Sequence, residues 1–135
     1  MRLELVTLTP KLGKFLLSNN YCFARDSLAR EWIEAGEISK AIFAESNRGT
    51  FLGWTGVKIS KDDTYLDYDG LYILVYIRPR YRHKGIGRYL LDAMTFYCRM
   101  QEKWKEFSIY YFNRKKDWKE TLIYDPRKKF VDGIY

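Results

Sequence analysis

The stretch that decides the fold is Leu71-Tyr-Ile-Leu-Val-Tyr-Ile77, which continues as Arg78-Pro-Arg-Tyr-Arg-His-Lys-Gly-Ile-Gly-Arg-Tyr-Leu-Leu91. Its first part is an almost unbroken apolar and aromatic run, the pattern of a strand buried on both faces. Pro79 breaks this strand, and from Ile86 the apolar residues recur at helical spacing. The sequence therefore predicts a buried strand, a basic turn with two glycines, and an amphipathic helix that reaches Gln101 or beyond.

A turn of this kind is suited to bind an anion. Backbone N–H groups at the start of a helix have no partner inside the helix, and the positive end of the helix dipole lies there. Gly85 and Gly87 carry no side chain that would keep a phosphate away from the backbone. Basic side chains add positive charge around the turn: Arg80, Arg82, Lys84 and Arg88.

Two common phosphate-binding motifs are excluded. A P-loop needs four residues between its glycines followed by Lys-Ser/Thr, whereas one residue separates Gly85 from Gly87. A dinucleotide-binding fingerprint needs a third glycine, where this chain has Leu90.

Arg82-His-Lys-Gly85-Ile-Gly87 fits the signature Arg/Gln-x-x-Gly-x-Gly/Ala throughout. At these residues the sequence resembles the GNAT superfamily of N-acetyltransferases, with the specific match confined to residues 71–94. The resemblance implies acetyl-CoA as cosubstrate, no metal, and transfer of an acetyl group to a primary amine by direct attack. The acceptor could be a small molecule, a protein or an aminoacyl-tRNA.

The rest of the chain predicts one α/β domain over residues 1–135. Strands are expected at 2–8, 40–44, 51–59, 71–77 and 107–112, with a possible closing strand at 130–135. Helices are expected at 11–17 with Thr9 as N-cap and Pro10 at its start, at 26–35 with Asp26 as N-cap, from Ile86, and at 117–123. The resemblance implies a central mixed, mostly antiparallel sheet flanked by helices and splayed between strands four and five.

The resemblance also implies the residues that bind the cofactor. The coenzyme A pyrophosphate would lie on the turn formed by Arg82, His83, Lys84, Gly85, Ile86, Gly87 and Arg88. The pantetheine arm would pair with the backbone near Val75 and Ile77, and Asn113 after strand five would complete the site.

Catalytic residues are harder to assign. Family members often have a glutamate near the middle of strand four, where this chain has Tyr72-Ile-Leu74. The base could instead be Asp69, Glu45 or water. Tyr124, if it occupies the family's position, would act as the general acid toward the leaving thiolate; alternatively it is one of twelve tyrosines with a packing role.

Charge and cysteine content indicate the kind of ligand and the cellular compartment. Residues 71–135 carry 15 basic against 7 acidic residues, so the net charge of +7 arises in this half of the chain, and an anionic ligand or surface is expected there. Two cysteines, Cys22 and Cys98, and the absence of a long apolar run indicate a cytoplasmic protein with free thiols and no membrane span.

Two other functions stay open at this level. The chain could be a GNAT-fold binding or assembly protein that has lost transfer activity, and a bacteriophage origin stays open. It could also be directed to RNA through the basic runs at residues 114–116 and 127–129, although nucleic-acid contact is not the favoured interpretation. A homodimer is possible because dimers are common in the family.

Overall fold

In a computed structural model the described residues are 1–22, 27–60, 70–101, 108–112 and 121–123. The elements follow in this order: β1 (Arg2–Thr7), α1 (Pro10–Ser18), α2 (Ser27–Glu34), β2 (Ile38–Glu45), β3 (Phe51–Ser60), β4 (Gly70–Ile77), a 3₁₀ turn (Pro79–Tyr81), α3 (Ile86–Met100), β5 (Ser108–Phe112) and β6 (Thr121–Ile123). The predicted α/β class is confirmed.

The strands form one sheet in the order β1-β2-β3-β4-β5-β6. Every neighbouring pair is antiparallel except β4 and β5, which run parallel, so the sheet is mixed and mostly antiparallel as expected. The β4–β5 register extends from Gly70↔Ser108 to Ile73↔Tyr111. Within the described residues, the second half of β4 has no partner in β5, and the expected splay lies at this place.

The core divides between the two faces of the sheet because β4 is apolar on both. Leu71, Ile73, Val75 and Ile77 belong to the cluster that includes the buried side of α3. Leu74 and Tyr76 belong to the cluster that includes Leu16 of α1 and Ile33 of α2. All residues from Leu71 to Ile77 are at most 7% exposed, which confirms a strand buried on both faces.

Local sequence signals set most of the boundaries. The Thr9 hydroxyl accepts from Leu12 N at 3.3 Å, so the predicted N-cap of α1 is confirmed, and Pro10 occupies the first turn as expected. The strand and helix bounds around the decisive stretch agree with prediction to within a residue. The predicted cap Asp26 and the proposed strand at 130–135 lie outside the described residues.

One predicted element is wrong. The helix expected at 117–123 is replaced at its end by β6, whose residues Thr121–Ile123 pair antiparallel with Tyr110–Phe112 of β5. Thr121 and Ile123 are β-branched, and pairing with an available strand edge overrides a local helical pattern. Residues 117–120 lie outside the described residues.

Three further side chains lie buried in the core. Cys22 and Cys98 are both free and buried. Trp54 is 2% exposed, and its indole N–H donates to the Tyr21 carbonyl at 2.6 Å, so it is a core residue. No helix within the described ranges is long and apolar enough to cross a membrane.

Candidate anion-binding turn at the end of β4

The turn between β4 and α3 is built from unusual backbone conformations. After the 3₁₀ turn, Arg82 is extended, His83 has a φ of 63°, and Gly85 has a φ of 85°. Among the described non-glycine residues, only Asn20 and His83 have a positive φ. Residues of opposite φ sign in succession turn their N–H groups to the same side, which forms the concave backbone surface that binds anions.

The two glycines of the turn have different surroundings. A Cβ built on Gly85 meets nothing within 4 Å, and the residue is exposed at the N-cap of α3. Gly87 is buried on the side of α3 that also carries Leu90, Leu91 and Met94. Gly85 therefore leaves the backbone accessible from solvent, whereas Gly87 belongs to the packed side of the helix.

The start of α3 provides donors at this surface. Tyr89 N donates to the Gly85 carbonyl at 3.1 Å, which is the first bond of the helix. The N–H groups of Ile86, Gly87 and Arg88 precede that bond and so have no intrahelical acceptor. They lie at the positive end of the dipole of a 15-residue helix, a favourable place for a phosphate.

Arg82 connects the turn to the strand before it. Its Nε donates to the Ile77 carbonyl at 2.7 Å, and its guanidinium lies 5.4 Å from the centre of the Tyr76 ring. The side chain is half-buried. Sequence reasoning assigned Arg82 to the charge around the turn, but its guanidinium also holds the turn in place.

Three further cationic side chains lie near the ring of Tyr81. Arg78, Arg80 and Lys84 lie 5.4, 5.5 and 6.0 Å from its centre, within the range of cation–π attraction. Arg78 is also fixed by a 2.9 Å bond from Nη1 to the Phe51 carbonyl. Sequence reasoning missed Tyr81, and the only signal for it is its place between basic residues.

Arg88 lies on the first turn of α3 and is half-buried. Its Nε is 3.5 Å from Asp92 Oδ1, an i,i+4 ion pair. His83 and Lys84 are exposed. Of the predicted turn residues from Arg82 to Arg88, the Arg82 amide donates to the Pro79 carbonyl at 3.3 Å, so the amides without an intrahelical acceptor lie at the start of α3.

The ladder between β3 and β4 decides which peptide groups of β4 face the splay. Arg78 N donates to the Leu52 carbonyl at 3.0 Å, and hydrogen-bonded pairs alternate with non-bonded pairs along an antiparallel ladder. The regular β3–β4 register therefore turns the peptide groups of Val75 and Ile77 away from β3. They face the side where β5, as far as the described residues extend, no longer pairs with β4.

The middle of β4 offers no carboxylate. Tyr72, Ile73 and Leu74 are buried, at 3%, 0% and 3% exposure. The Tyr72 ring lies 5.7 Å from that of Trp32 on α2. Burial raises the pKa of the Tyr76 hydroxyl, and the nearby Arg82 guanidinium opposes this rise.

Of the other catalytic candidates, only Glu45 lies among the described residues. Glu45, at the end of β2, forms a hydrogen-bonded ion pair with Arg2 of β1, and β3 separates it from β4 in the sheet. Asp69, Asn113 and Tyr124 lie outside the described residues. Among the described side chains, no group of three or more His, Cys, Asp or Glu residues could hold a metal ion.

Comparisons with known proteins agree with this fold. The family model of the acetyltransferase (GNAT) domain matches residues 37–122, so the chain belongs to the GNAT family of acetyltransferases. No curated protein sequence matches the chain.

Solved structures share the fold. A ribosomal-protein-alanine N-acetyltransferase from Brucella melitensis biovar Abortus 2308 has 17% identity and a TM-score of 0.51, over 82% of this chain and 80% of that one. The loading GNATL domain of CurA from Lyngbya majuscula has 14% identity and a TM-score of 0.56, over 84% and 65%. Arabidopsis thaliana Naa50, in complex with a bisubstrate analogue, has 23% identity and a TM-score of 0.50, over 82% and 72%.

Proposed function

We propose that this protein transfers an acetyl group from acetyl-CoA to a primary amine. The observation that carries the proposal is the turn at Gly85: a left-handed residue with open space above it, at the start of α3 and beside the splayed end of β4. Family membership supports acetyl transfer, and the turn supports the binding of a diphosphate on backbone amides.

The residues of the turn fit the cofactor. The amides from His83 to Gly87 would bind the pyrophosphate, because the Arg82 amide already donates to the Pro79 carbonyl at 3.3 Å, and the cations around the Tyr81 ring would offset its charge. The peptide groups of Val75 and Ile77 would pair with the pantetheine arm, although the Ile77 carbonyl already accepts from Arg82. Acetyl-CoA supplies the activated thioester carbonyl, and Asn113 remains a further proposed contact.

The chain's own part in the reaction is to position reactants and move one proton. The amine nitrogen forms a bond to the acetyl carbon, the carbon–sulfur bond breaks, and the amine's proton balances the charge on the departing sulfur. We propose Tyr124 as the donor to that sulfur. Because β4 has no carboxylate, Asp69 or water would accept the proton of the amine, and positioning can supply about 7–11 kcal/mol.

The acceptor is an amine on a small molecule, a protein or an aminoacyl-tRNA. We infer that the reaction takes place in the cytoplasm, because two free thiols fit a reducing compartment.

The test is calorimetric titration of the protein with acetyl-CoA, using Gly85→Glu and the matched control Gly49→Glu. Gly49 has a φ of 83° and also meets nothing within 4 Å, but it lies in the β2–β3 connection. Both variants add the same charge and the same backbone strain. Only Gly85→Glu places a carboxylate at the proposed phosphate site, so it should weaken binding at least about a hundredfold, or 2.7 kcal/mol.

Equal binding by the two glutamate variants would contradict the turn as the cofactor site. No binding by the folded parent chain would contradict the transferase function itself. Binding without transfer to any amine of a panel covering the three acceptor classes would instead favour a protein that keeps the cofactor and has lost catalysis.

A further inference from the structure

The outer edge of the sheet at β1 has no partner within the described part of the chain. β1 is the first strand in the sheet order, and its residues pair with β2 from Arg2↔Glu45 to Thr7↔Lys40. An edge of this kind presents a row of peptide groups that can pair with another strand.

One hydrogen bond shows which residues of β1 bond to β2 and which face outward. Leu8 N donates to the Ser39 carbonyl at 3.3 Å, and the register continues that pair to Val6↔Ala41 and Glu4↔Phe43. Because bonded pairs alternate, the even-numbered residues bond to β2. The peptide groups of Leu3 and Leu5 therefore point outward from the sheet, as does the carbonyl of Met1, whose terminal amine donates to Asn47 Oδ1 at 2.8 Å. The Thr7 carbonyl accepts from Thr9 N at 2.9 Å and ends the outward row.

The side chains of β1 are divided between the two faces of the sheet. Leu3 packs against the cluster on the α3 face, and Val6 packs against the cluster on the opposite face. By alternation, Met1 and Leu5 share the face of Leu3, whereas Arg2 and Glu4 share the face of Val6. Met1 and Leu5 are 47% and 48% exposed, so both have apolar surface that a second strand could cover.

The sequence of β1 is complementary to itself when it is reversed. If two copies meet antiparallel with Leu3 opposite Leu3 of the second copy, then Arg2 stands opposite Glu4 and Met1 opposite Leu5. The outward peptide groups of Leu3 face each other in this register, so a bonded ladder can form. Opposite charges meet twice on one face, and the exposed apolar side chains meet on the other.

We propose that two copies of this chain associate through β1, with a two-fold axis at Leu3, and join their sheets into one continuous sheet. Such an interface is isologous, since each copy contributes the same residues to it. The side chain of Arg2 is 70% exposed beside Glu45, so a second carboxylate can approach it. This association is independent of acetyl transfer.

Charge decides between this register and its neighbour. Moving one copy by two residues would place Glu4 opposite Glu4, and like charges directly opposite each other are destabilising. It would also place Arg2 opposite the apolar Val6. The register at Leu3 therefore satisfies both charged residues of the strand, whereas the neighbouring one satisfies neither.

The experiment is sedimentation equilibrium of the full chain and its charge variants. The wild type should approach twice the 16.2 kDa of one chain as its concentration rises. Glu4→Arg opposes Arg2 of the second copy and should weaken the dimer by about tenfold or more. Glu31→Arg makes the same charge change on the exposed side of α2 and should leave the dimer unchanged.

A mixture gives the decisive result. Arg2→Glu and Glu4→Arg should each be largely monomeric alone, because each opposes like charges in a symmetric dimer. Mixed in equal amounts, they should form a heterodimer with both charge pairs restored. Circular dichroism checks that both variants are folded. A monomeric wild type, a dimer insensitive to Glu4→Arg, or a mixture that does not associate would overturn the proposal.

Discussion

At the scale of single residues, Arg82 and Gly85 have different roles in the candidate anion-binding turn. Arg82 donates to the Ile77 carbonyl at 2.7 Å, so it fixes how the turn leaves the strand. Gly85 adopts a φ of 85°, which side chains disfavour, and exposes the backbone that follows. Arg82 therefore positions the turn, and Gly85 leaves the backbone of the turn accessible from solvent.

Replacing Arg82 by Ala should lower the free energy of unfolding by about 1–2 kcal/mol. The reason is the loss of a charge-assisted hydrogen bond, discounted because the side chain is only half-buried. Arg80→Ala is the control, since Arg80 is exposed and its described contact is with the Tyr81 ring. Urea unfolding measures the free energy of unfolding of both variants. A similar decrease in the two would contradict the role of Arg82 in holding the turn in place.

At the scale of elements, α1 shows how local signals and packing combine. Thr9 caps its start and Pro10 occupies its first turn. Gly13 then lies in the interior of the helix, where glycine costs about 1 kcal/mol relative to alanine. A Cβ at Gly13 would meet Ile33 Cγ2 of α2 at 3.4 Å, an ordinary packing contact.

We therefore expect Gly13→Ala to raise the free energy of unfolding by up to about 1 kcal/mol. Gly36→Ala, where a Cβ would meet nothing within 4 Å but φ is 70°, should have the opposite sign because alanine is strained there. Thermal denaturation of the two variants tests the pair. Destabilisation by Gly13→Ala would mean that α1 and α2 cannot move apart by a few tenths of an ångström.

At the scale of the whole molecule, β2, β3 and β4 each contribute residues to both core clusters, one on each face of the sheet. The α3 face includes Leu90, Leu91, Met94 and Cys98, all 0% exposed. Burial raises the pKa of the Cys98 thiol from its ordinary value of 9.0 to about 12. The folded state therefore keeps this thiol protonated at pH values where the unfolded chain releases the proton.

This linkage predicts a loss of stability in alkali. Above about pH 9 the unfolded chain binds fewer protons than the folded one, so stability falls with rising pH until about pH 12. Between pH 8 and pH 10 the wild type should lose about 1 kcal/mol more than Cys98→Ala, which has no thiol there. Urea unfolding at both pH values measures the difference, and equal losses would show that the thiol is ionised in the folded protein.

The sequence by itself determined the segments whose signals are local. The two-sided apolar run of β4, the proline that ends it, the glycine signature and the helical spacing of α3 each depend on neighbouring residues. The Thr9 cap is likewise encoded within four residues of chain. For this reason the strand, turn and helix of the candidate site were predictable to within a residue.

Tertiary structure alone decided the rest, because it depends on residues distant in the chain. Thr121–Ile123 is a strand because β5 offers it an edge, not because of its neighbours in sequence. The same holds for the Phe51 carbonyl that accepts from Arg78 Nη1, and for the outward edge of β1, which depends on the pairing of β1 with β2. Each depends on contacts between separate segments of the chain, and the spacing of residues along the sequence does not encode such contacts.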